Sequence, residues 1–282
     1  MLILERPWTR QPQGPIGIDW GNPITQRLLL SALPNAFDGR NLVNGKSLTK
    51  TGALAAAVGK DGVYPTFATG NYVDFDAGIC SNTDPTTIAW TQEPQATSNY
   101  STILQWKATG ATNPFLIYTS ATDVNYQFNA GVGNGGFNLN KRFGVGLATN
   151  KVADRFCLIL PSGTSTAADS ILYRNGALVD SLIVAAEQSF GSSTANVSRI
   201  GALSTAGDPF EGLLGNVNVW GRALTETEAA AWTRNPWQLF APQRIYIPTA
   251  AATGYTHPTL SAATATEIGT TSFKPRVTYT FA

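Results

Sequence analysis

The feature that most constrains the fold is the regular alternation of side chains from Leu213 to Trp220, followed closely by a short helix. Successive side chains of a β-strand point to opposite faces of a sheet, so this alternation predicts a strand with two different faces. Thr225 and Glu228 have the spacing of a capping box, and the alanines at 229–231 favour a helix after it. Pro236 ends that helix, because the residue before a proline avoids the helical conformation.

Short segments of β-forming residues fill the middle of the chain, and each is bounded by Gly, Asn, Asp, Pro or Ser. Asn175 and Gly176 separate two such segments, and both accept the positive φ angles of a type I′ hairpin turn. This spacing is typical of an antiparallel sandwich. The sequence therefore predicts an all-β fold with two antiparallel sheets and one short helix near residues 225–234. The predicted strands are residues 72–75, 86–91, 101–107, 114–118, 125–129, 144–148, 156–160, 170–174, 178–184, 197–200 and 213–220.

Composition argues against several classes of partner. Only 13% of the 282 residues are charged and the net charge is +1, with no basic cluster, so we predict no binding to nucleic acid. No apolar run approaches the roughly 18 residues that cross a bilayer, so we predict no membrane insertion. Residues 1–7 lack the basic region and long apolar core of a secretion signal, which predicts synthesis in the cytoplasm without a signal peptide.

The residues that usually carry catalysis are sparse. The single histidine, His257, lies outside the predicted sandwich, so the domain has no histidine for a catalytic triad or a His-rich metal site. Of the seven glutamates only Glu226 and Glu228 are two residues apart. They fall in the first turn of the predicted helix, where negative charges interact favourably with the helix dipole. We therefore predict that the protein is not an enzyme, with no catalytic residues and no cofactor.

An N-terminal extension precedes the predicted sandwich, which we place at residues 46–242. Residues 1–45 contain five prolines and two tryptophans, Trp8 and Trp20. Disordered leaders are usually poor in aromatic residues. The segment therefore predicts an extended anchoring arm that packs on its own domain or on a neighbouring subunit, with at most a short helix between Ile24 and Leu33. The alternative is a flexible leader.

A second extension, residues 243–282, is predicted to be a linker and a C-terminal strand in which Val277, Tyr279 and Phe281 share one face. So short a segment cannot form its own domain. Its strand must pair with the sandwich or with other copies of the chain, and we favour pairing between copies, which predicts a homo-oligomer.

Several motifs of the C-terminal half occur together in one known family. They are Leu172-Tyr173-Arg174-Asn175-Gly176, Ile200-Gly201, Pro209-Phe210-Glu211-Gly212, Val217-Asn218-Val219-Trp220, Arg222-Ala223-Leu224-Thr225 and Glu228. With these motifs the chain resembles laminin-G-like domains of the concanavalin A type, which implies a jelly-roll arrangement of the two sheets. Asn235 to Pro242 resembles the tail that follows such domains in phage-derived proteins. Phage modules of this kind are commonly trimers, so the resemblance implies a trimer.

The resemblance also implies two kinds of ligand. Laminin-G-like domains often bind calcium through acidic residues, and Asp74 and Asp76 share a face of a predicted strand near Asn71. The alternative is that both aspartates are simply solvated. The family also binds carbohydrate, which requires exposed aromatic rings and amides. One sequence does not say which side chains point outward, so no binding residue is assigned. The candidates are Trp90, Trp106, Tyr118, Tyr126, Phe128, Asn113, Asn125, Asn129 and Asn134.

The two cysteines leave two interpretations open. Cys157 lies in a run typical of a buried strand, which predicts a core thiol. A disulfide with Cys80 is the alternative, although the spacing gives no argument for it.

We expect a structural protein of a tailed-phage virion, a jelly-roll module that decorates the capsid or the tail and is attached to other virion proteins by its terminal arms. The alternative is a glycan-binding adhesion module that contacts the host cell surface. The expected location is the virion, after synthesis in the host cytoplasm.

Overall fold

The computed structural model describes residues 10–12, 16–33, 39–59, 61–76, 79, 83–94, 101–106, 115–122, 125–132, 140–144, 153–162, 169–179, 181–184, 198–202 and 209–242. One α-helix, α1 (Glu226–Arg234), and two 3-10 turns, Pro23–Thr25 and Pro236–Leu239, accompany the strands in this part of the chain. The strands are β1 (Ile16–Ile18), β2 (Leu28–Ala32), β3 (Thr49–Thr51), β4 (Ala56–Val58), β5 (Val63–Phe67), β6 (Tyr72–Phe75), β7 (Thr86–Pro94), β8 (Ser101–Trp106), β9 (Phe115–Thr122), β10 (Asn125–Val132), β11 (Asn140–Gly144), β12 (Asp154–Leu160), β13 (Ile171–Arg174), β14 (Ala177–Val179), β15 (Ser181–Val184), β16 (Ser198–Ile200), β17 (Gly212–Trp220) and β18 (Phe240–Pro242).

The strands form two large sheets and one small one. The front sheet has the order β15-β11-β10-β9-β8-β16-β6-β3, and the back sheet has the order β14-β13-β12-β7-β17-β5-β4, with β2 also paired to β17. Strands β1 and β18 pair separately. Every described strand pair is antiparallel. The predicted all-β antiparallel architecture is therefore confirmed.

Two hydrophobic cores hold these layers together. The inter-sheet core joins residues of the back sheet, such as Trp90 and Phe156, to residues of the front sheet, such as Trp106 and Ile200. The rings of Trp90 and Phe156 stack with their centroids 5.3 Å apart. A second core, here called the outer core, lies between the back sheet and α1 and includes Trp220 and Trp232. Aromatic residues each bury a large apolar area, so these rings contribute heavily to the stability of both layers.

The described part of the predicted N-terminal arm belongs to the sandwich itself. Strand β2 pairs with β17, and Leu30 is buried in the inter-sheet core. Ile24 and Leu28 are buried in the outer core. The predicted start of the sandwich at residue 46 is therefore too late, because the apolar side chains of residues 16–33 are already needed to fill its cores. Residues 1–9 and the predicted C-terminal extension, residues 243–282, lie outside the described residues.

The predicted local motifs of the C-terminal half are present. Asn175 and Gly176 have φ angles of 50° and 89°, the positive values that a type I′ turn requires. Thr225 and Glu228 form the predicted capping box at the start of α1. The backbone N–H of Gly176 donates to Oγ1 of Thr233, 2.9 Å away, which fastens the hairpin to the helix. No helix in the described part of the chain is long and apolar enough to span a membrane.

Candidate outer-face site

A row of polar residues crosses four strands on the outer face of the front sheet. In the register of the strands, Thr49 lies opposite Asp74, Asp74 opposite Arg199, and Arg199 opposite Gln105. Their strand neighbours Val73 and Ile200 belong to the inter-sheet core, so the row points to the other face. These four residues, Thr49, Asp74, Arg199 and Gln105, are called the polar row below.

Arg199 organises the polar row. Its Nε donates to Oδ1 of Asp74 at 2.6 Å and its Nη2 to Oδ2 at 3.1 Å, which makes a bidentate ion pair. The guanidinium carbon lies 3.5 Å from the centre of the Tyr72 ring. A guanidinium stacked on a ring and held by a carboxylate has little freedom to rotate. The pair therefore fixes the Asp74 carboxylate and the Tyr72 ring at one position on the sheet.

Exposure within the polar row falls from the edge strand to the centre. Thr49 is exposed, and the side chain of Asp74 keeps 26% of its surface accessible. Arg199 and Gln105 are buried, at 6% and 1%. The part that a ligand reaches is therefore the rim of β3 and β6, which offers a hydroxyl, a carboxylate and the half-buried ring of Tyr72. Groups of this kind suit a ligand rich in hydroxyls.

The two calcium candidates are held by basic side chains. Asp74 is paired with Arg199, and Asp76 accepts from Nζ of Lys46 at 2.5 Å. Asn71, the third candidate, directs its side-chain amide to the carbonyl of Ala53 at 2.9 Å. The described residues contain no group of three or more His, Cys, Asp or Glu that would hold a metal ion. Both aspartates therefore form ion pairs, and their contacts do not support a calcium site.

Most of the aromatic and amide candidates for sugar binding are either buried or outside the described part of the chain. Trp90 and Trp106 are fully buried in the inter-sheet core, so neither is a platform for a sugar. Tyr118 on β9 and Asn129 on β10 occupy opposite positions in register. Asn113 and Asn134 lie outside the described residues. Tyr126, Phe128 and Asn125 lie on β10, but their side chains are outside the description, as are those of Tyr118 and Asn129.

The paired glutamates of α1 have a structural role. Glu228 receives hydrogen bonds from Nη1 and Nη2 of Arg222 at 2.8 and 2.7 Å, and from the backbone N–H of Thr225 at 2.8 Å. The hydrogen bonds from Arg222, with those from Thr225, lower the pKa of Glu228 to about 2. A general acid requires a pKa raised toward neutrality. Glu228 therefore stays ionised and stabilises the start of the helix.

Cys157 is the predicted core thiol. It is fully buried on β12 among residues of the outer core, and it is free. Burial raises the pKa of its thiol, as does the charge of Glu228 to a smaller extent. Cys80 lies outside the described residues. The thiol of Cys157 is therefore protonated and unreactive in the folded domain.

Sequence reasoning missed Arg199 and Gln105 as members of the site. The signal available for Arg199 was a charged residue between Ser198 and Ile200 in a predicted strand, since such a residue needs a partner when it is buried. Gln105 gave no comparable signal, because a neutral amide is ordinary in a strand.

Three solved structures show the same fold. Domain 4 of AbnA, an extracellular arabinanase of Geobacillus stearothermophilus solved in complex with arabinotriose, has a TM-score of 0.50 at 16% identity, over 73% of this chain and 98% of that domain. The binding domain of botulinum neurotoxin serotype C1 gives 0.51 at 11% identity, over 74% of this chain and 52% of its own. The receptor binding domain of the C/D mosaic serotype gives 0.51 at 10% identity, over 73% and 51%. At such identities the similarity concerns the fold alone, and the chain spans about half of each toxin domain.

The sequence also matches a family. No curated protein is significantly similar to the chain. The Laminin_G_3 family, described as the concanavalin A-like lectin/glucanases superfamily, matches residues 67–230, more than half of the 282 residues. The match runs from the last residue of β5 into α1, so β1 to β4 and β18 lie outside the part that it covers. The chain therefore belongs to the Laminin_G_3 family of concanavalin A-like jelly-roll domains.

Proposed function

We propose that the chain is a non-catalytic, lectin-like module that binds a glycan on the outer face of its front sheet. The observation that carries the proposal is the accessible rim of the polar row, where the hydroxyl of Thr49 and the carboxylate of Asp74 lie in register and the buried Arg199 holds the carboxylate beside Tyr72. Proteins hold sugars through aromatic faces and through fixed polar groups that exchange hydrogen bonds with hydroxyls. The AbnA domain of the same fold was solved with arabinotriose, which supports a sugar as the ligand class.

The polar row is organised before a ligand arrives. The carboxylate of Asp74 is oriented by Arg199, and Arg199 is itself held on Tyr72. Groups that are already fixed lose little conformational entropy when they bind. The accessible part of the Asp74 side chain and the hydroxyl of Thr49 are therefore the expected contacts for sugar hydroxyls.

A glycan array with the full chain tests this proposal. We expect wild type to bind at least one glycan, and Asp74→Asn to weaken that binding about tenfold or more, because a hydrogen bond to a charged group is lost. Asp76→Asn is the matched control, since it removes a neighbouring carboxylate whose partner is Lys46. Thermal unfolding of both variants checks that they remain folded. Equal binding by wild type and Asp74→Asn would exclude the polar row as the site, and an array without any signal would exclude the function.

The same array run with millimolar calcium and with a chelator tests the remaining cofactor question. We propose that binding needs no metal, because Asp74 and Asp76 each already have a basic partner. Loss of binding in the chelator, restored by calcium, would contradict this.

The absence of catalysis is part of the proposal. The lowered pKa of Glu228 makes it a poor proton donor, and Glu226 and Glu228 are the closest pair of glutamates in the sequence. We expect the full chain to release no products from a bound oligosaccharide after prolonged incubation, as measured by chromatography. Release of shorter sugars that persists in Glu228→Gln would show catalysis at another site.

A structural role in a tailed-phage virion is the second candidate. Ile16 of β1 lies opposite Pro242 of β18, so the last described residue of the chain is paired with an early strand of the domain. A C-terminal extension that starts from this point suits a module attached to an assembly through its terminal arms. The Asn235 to Pro242 segment, which resembles phage-protein tails, packs in the outer core beside that point. In this role the chain would be made in the host cytoplasm, would form a homotrimer and would bind other virion proteins. Its target on the host surface would be a glycan.

Purified particles test the virion role. Mass spectrometry is expected to find the chain in many copies, and removal of residues 1–9 or 243–282 is expected to reduce its incorporation. Removal of residues 1–45 would not be informative, because residues 16–33 are part of the fold. Full incorporation of both shortened chains, or absence from the particles, would contradict the role.

A further inference from the structure

Trp20 is an outlier among the tryptophans that the structure describes. Five of them, Trp90, Trp106, Trp220, Trp232 and Trp237, are among the largest fully buried side chains. Trp20 instead leaves 59% of its surface exposed. A tryptophan that is more than half exposed gains less from burial than the other five. Packing within the domain therefore does not account for this residue at this position.

The turn that carries Trp20 is firmly braced on both sides. The N–H of Trp20 donates to the carbonyl of Ile18 at 3.1 Å, and the N–H of Asp19 donates to the carbonyl of Leu239 at 2.8 Å. The side-chain amide of Asn22 donates to the carbonyl of Gln238 at 2.9 Å. The backbone on either side of the ring is thus tied to the C-terminal end of the domain. A turn whose backbone is already fixed loses little backbone entropy when its side chain binds a ligand.

The side chains next to Trp20 are small or polar. Gly21 adds no side chain and its N–H donates to Oδ1 of Asp19 at 3.1 Å, and the exposed residues that follow include Gln26 and Arg27. The other large exposed hydrophobic residues of the described part, Val58 and Leu178, belong to β4 and β14 and not to this turn. Aromatic anchors of protein interfaces usually lie within a wider packed patch. A single ring with polar neighbours is better matched to a sugar, which presents a C–H face to the ring and hydroxyls to its surroundings.

We propose that Trp20 is a stacking platform for a sugar ring of a glycan, separate from the polar row. The ring follows β1, whose residue Ile18 packs in the outer core, whereas the polar row lies on the front sheet. The inference rests on the proposed glycan-binding function and adds a second contact on another layer of the domain. Two contacts on one chain raise the avidity for a surface that displays many sugars.

The test combines binding with fluorescence on the full chain. Binding to the same glycan array is measured for wild type, Trp20→Phe and Trp20→Ala, with Leu178→Ala as the control for loss of another exposed apolar side chain. We expect Trp20→Ala to weaken binding about tenfold and Trp20→Phe to weaken it less, because phenylalanine keeps a smaller stacking face. Thermal unfolding is expected to be unchanged in all three variants.

A direct readout follows the ring itself. In a Trp8→Phe background, the strongest array glycan is added in soluble form and quenching by acrylamide is measured. We expect the glycan to reduce quenching, because Trp20 is the exposed tryptophan among those described. Unchanged quenching together with full binding by Trp20→Ala would overturn the platform. If Asp74→Asn still loses binding in that case, the proposed function stands without it.

Two further results would also contradict the proposed role of Trp20. An array without signal for wild type would contradict both the glycan-binding function and the stacking role of Trp20. If Trp20→Ala shifts the oligomeric state in size-exclusion chromatography with light scattering but binds glycans normally, Trp20 contacts polypeptide instead of sugar.

Discussion

Nε1 of Trp220 donates a hydrogen bond of 2.7 Å to the backbone carbonyl of Ile24, 196 residues earlier in the chain. Arg222 extends the same link, since its Nε donates to the carbonyl of Gln26 at 2.9 Å. The partners at the N-terminal end lie outside the part of the chain that the family match covers. The N-terminal segment therefore supplies the acceptor for the buried indole N–H at the end of β17 and belongs to the domain.

Leu30→Ala tests whether the N-terminal segment supports the fold. Leu30 lies on β2 and is 1% exposed in the inter-sheet core. Loss of a buried leucine side chain costs about 2–5 kcal/mol of unfolding free energy. We expect a decrease of that size in urea denaturation, and almost none for the exposed control Leu178→Ala. Equal stability of the two variants would mean that β2 is dispensable.

Gly201→Ala tests a close approach between the two sheets. Gly201 has φ +88°, and a Cβ there would lie 2.3 Å from Cδ1 of Phe67. The backbone strain and the overlap together predict a loss of about 2–5 kcal/mol. Gly45→Ala separates the two causes, because Gly45 has φ +72° with nothing within 4 Å of the added carbon. Chemical denaturation should rank the losses as Gly201→Ala above Gly45→Ala, and the reverse order would contradict the model of a steric contact.

Local signals in the sequence predicted the structure well where neighbouring residues decide it. The hairpin at Asn175 and the capping box at Thr225 and Glu228 depend on residues within one turn, and both are present. The prediction contained no strand corresponding to β1 to β5 or to β18, and two of these have ambiguous local signals. Strand β2 begins with three leucines, which suit a helix as well as a strand. Strand β5 contains Pro65, which normally argues against a strand inside a sheet.

The candidate site was predictable only in part. Tyr72 and Asp74 alternate with core residues, so their common outer face follows from the sequence. Their meeting with Arg199 does not, because the pairing of β6 with β16 joins residues 125 positions apart. The register between distant strands is set by the packing of the whole sandwich. The exposure of Trp20 was also unpredictable, because a sequence does not show which face of a turn meets solvent.

Thiol labelling tests the burial of Cys157. In a Cys80→Ser background, we expect Cys157 to react with a soluble disulfide reagent only as fast as the domain unfolds, because burial both shields the thiol and raises its pKa. Labelling in urea, where the chain is unfolded, should be fast and complete. Rapid labelling of the folded domain, at a rate that does not change with low concentrations of urea, would show that the thiol is accessible.

Acid stability tests the ion pair between Glu228 and Arg222. The folded pKa of Glu228, about 2, is below its ordinary value of 4.5, so the folded state binds its proton less readily than the unfolded state. Its contribution is therefore complete above pH 4.5 and is lost as the pH falls toward 2. Glu228→Gln keeps a side chain that caps the helix but removes the charge. We expect this variant to be less stable at pH 7 and to lose less stability between pH 4.5 and 2, with Glu226→Gln as the control on the same helical turn. Urea denaturation across this pH range measures both quantities, and parallel curves for wild type and Glu228→Gln would show that the ion pair does not govern acid stability.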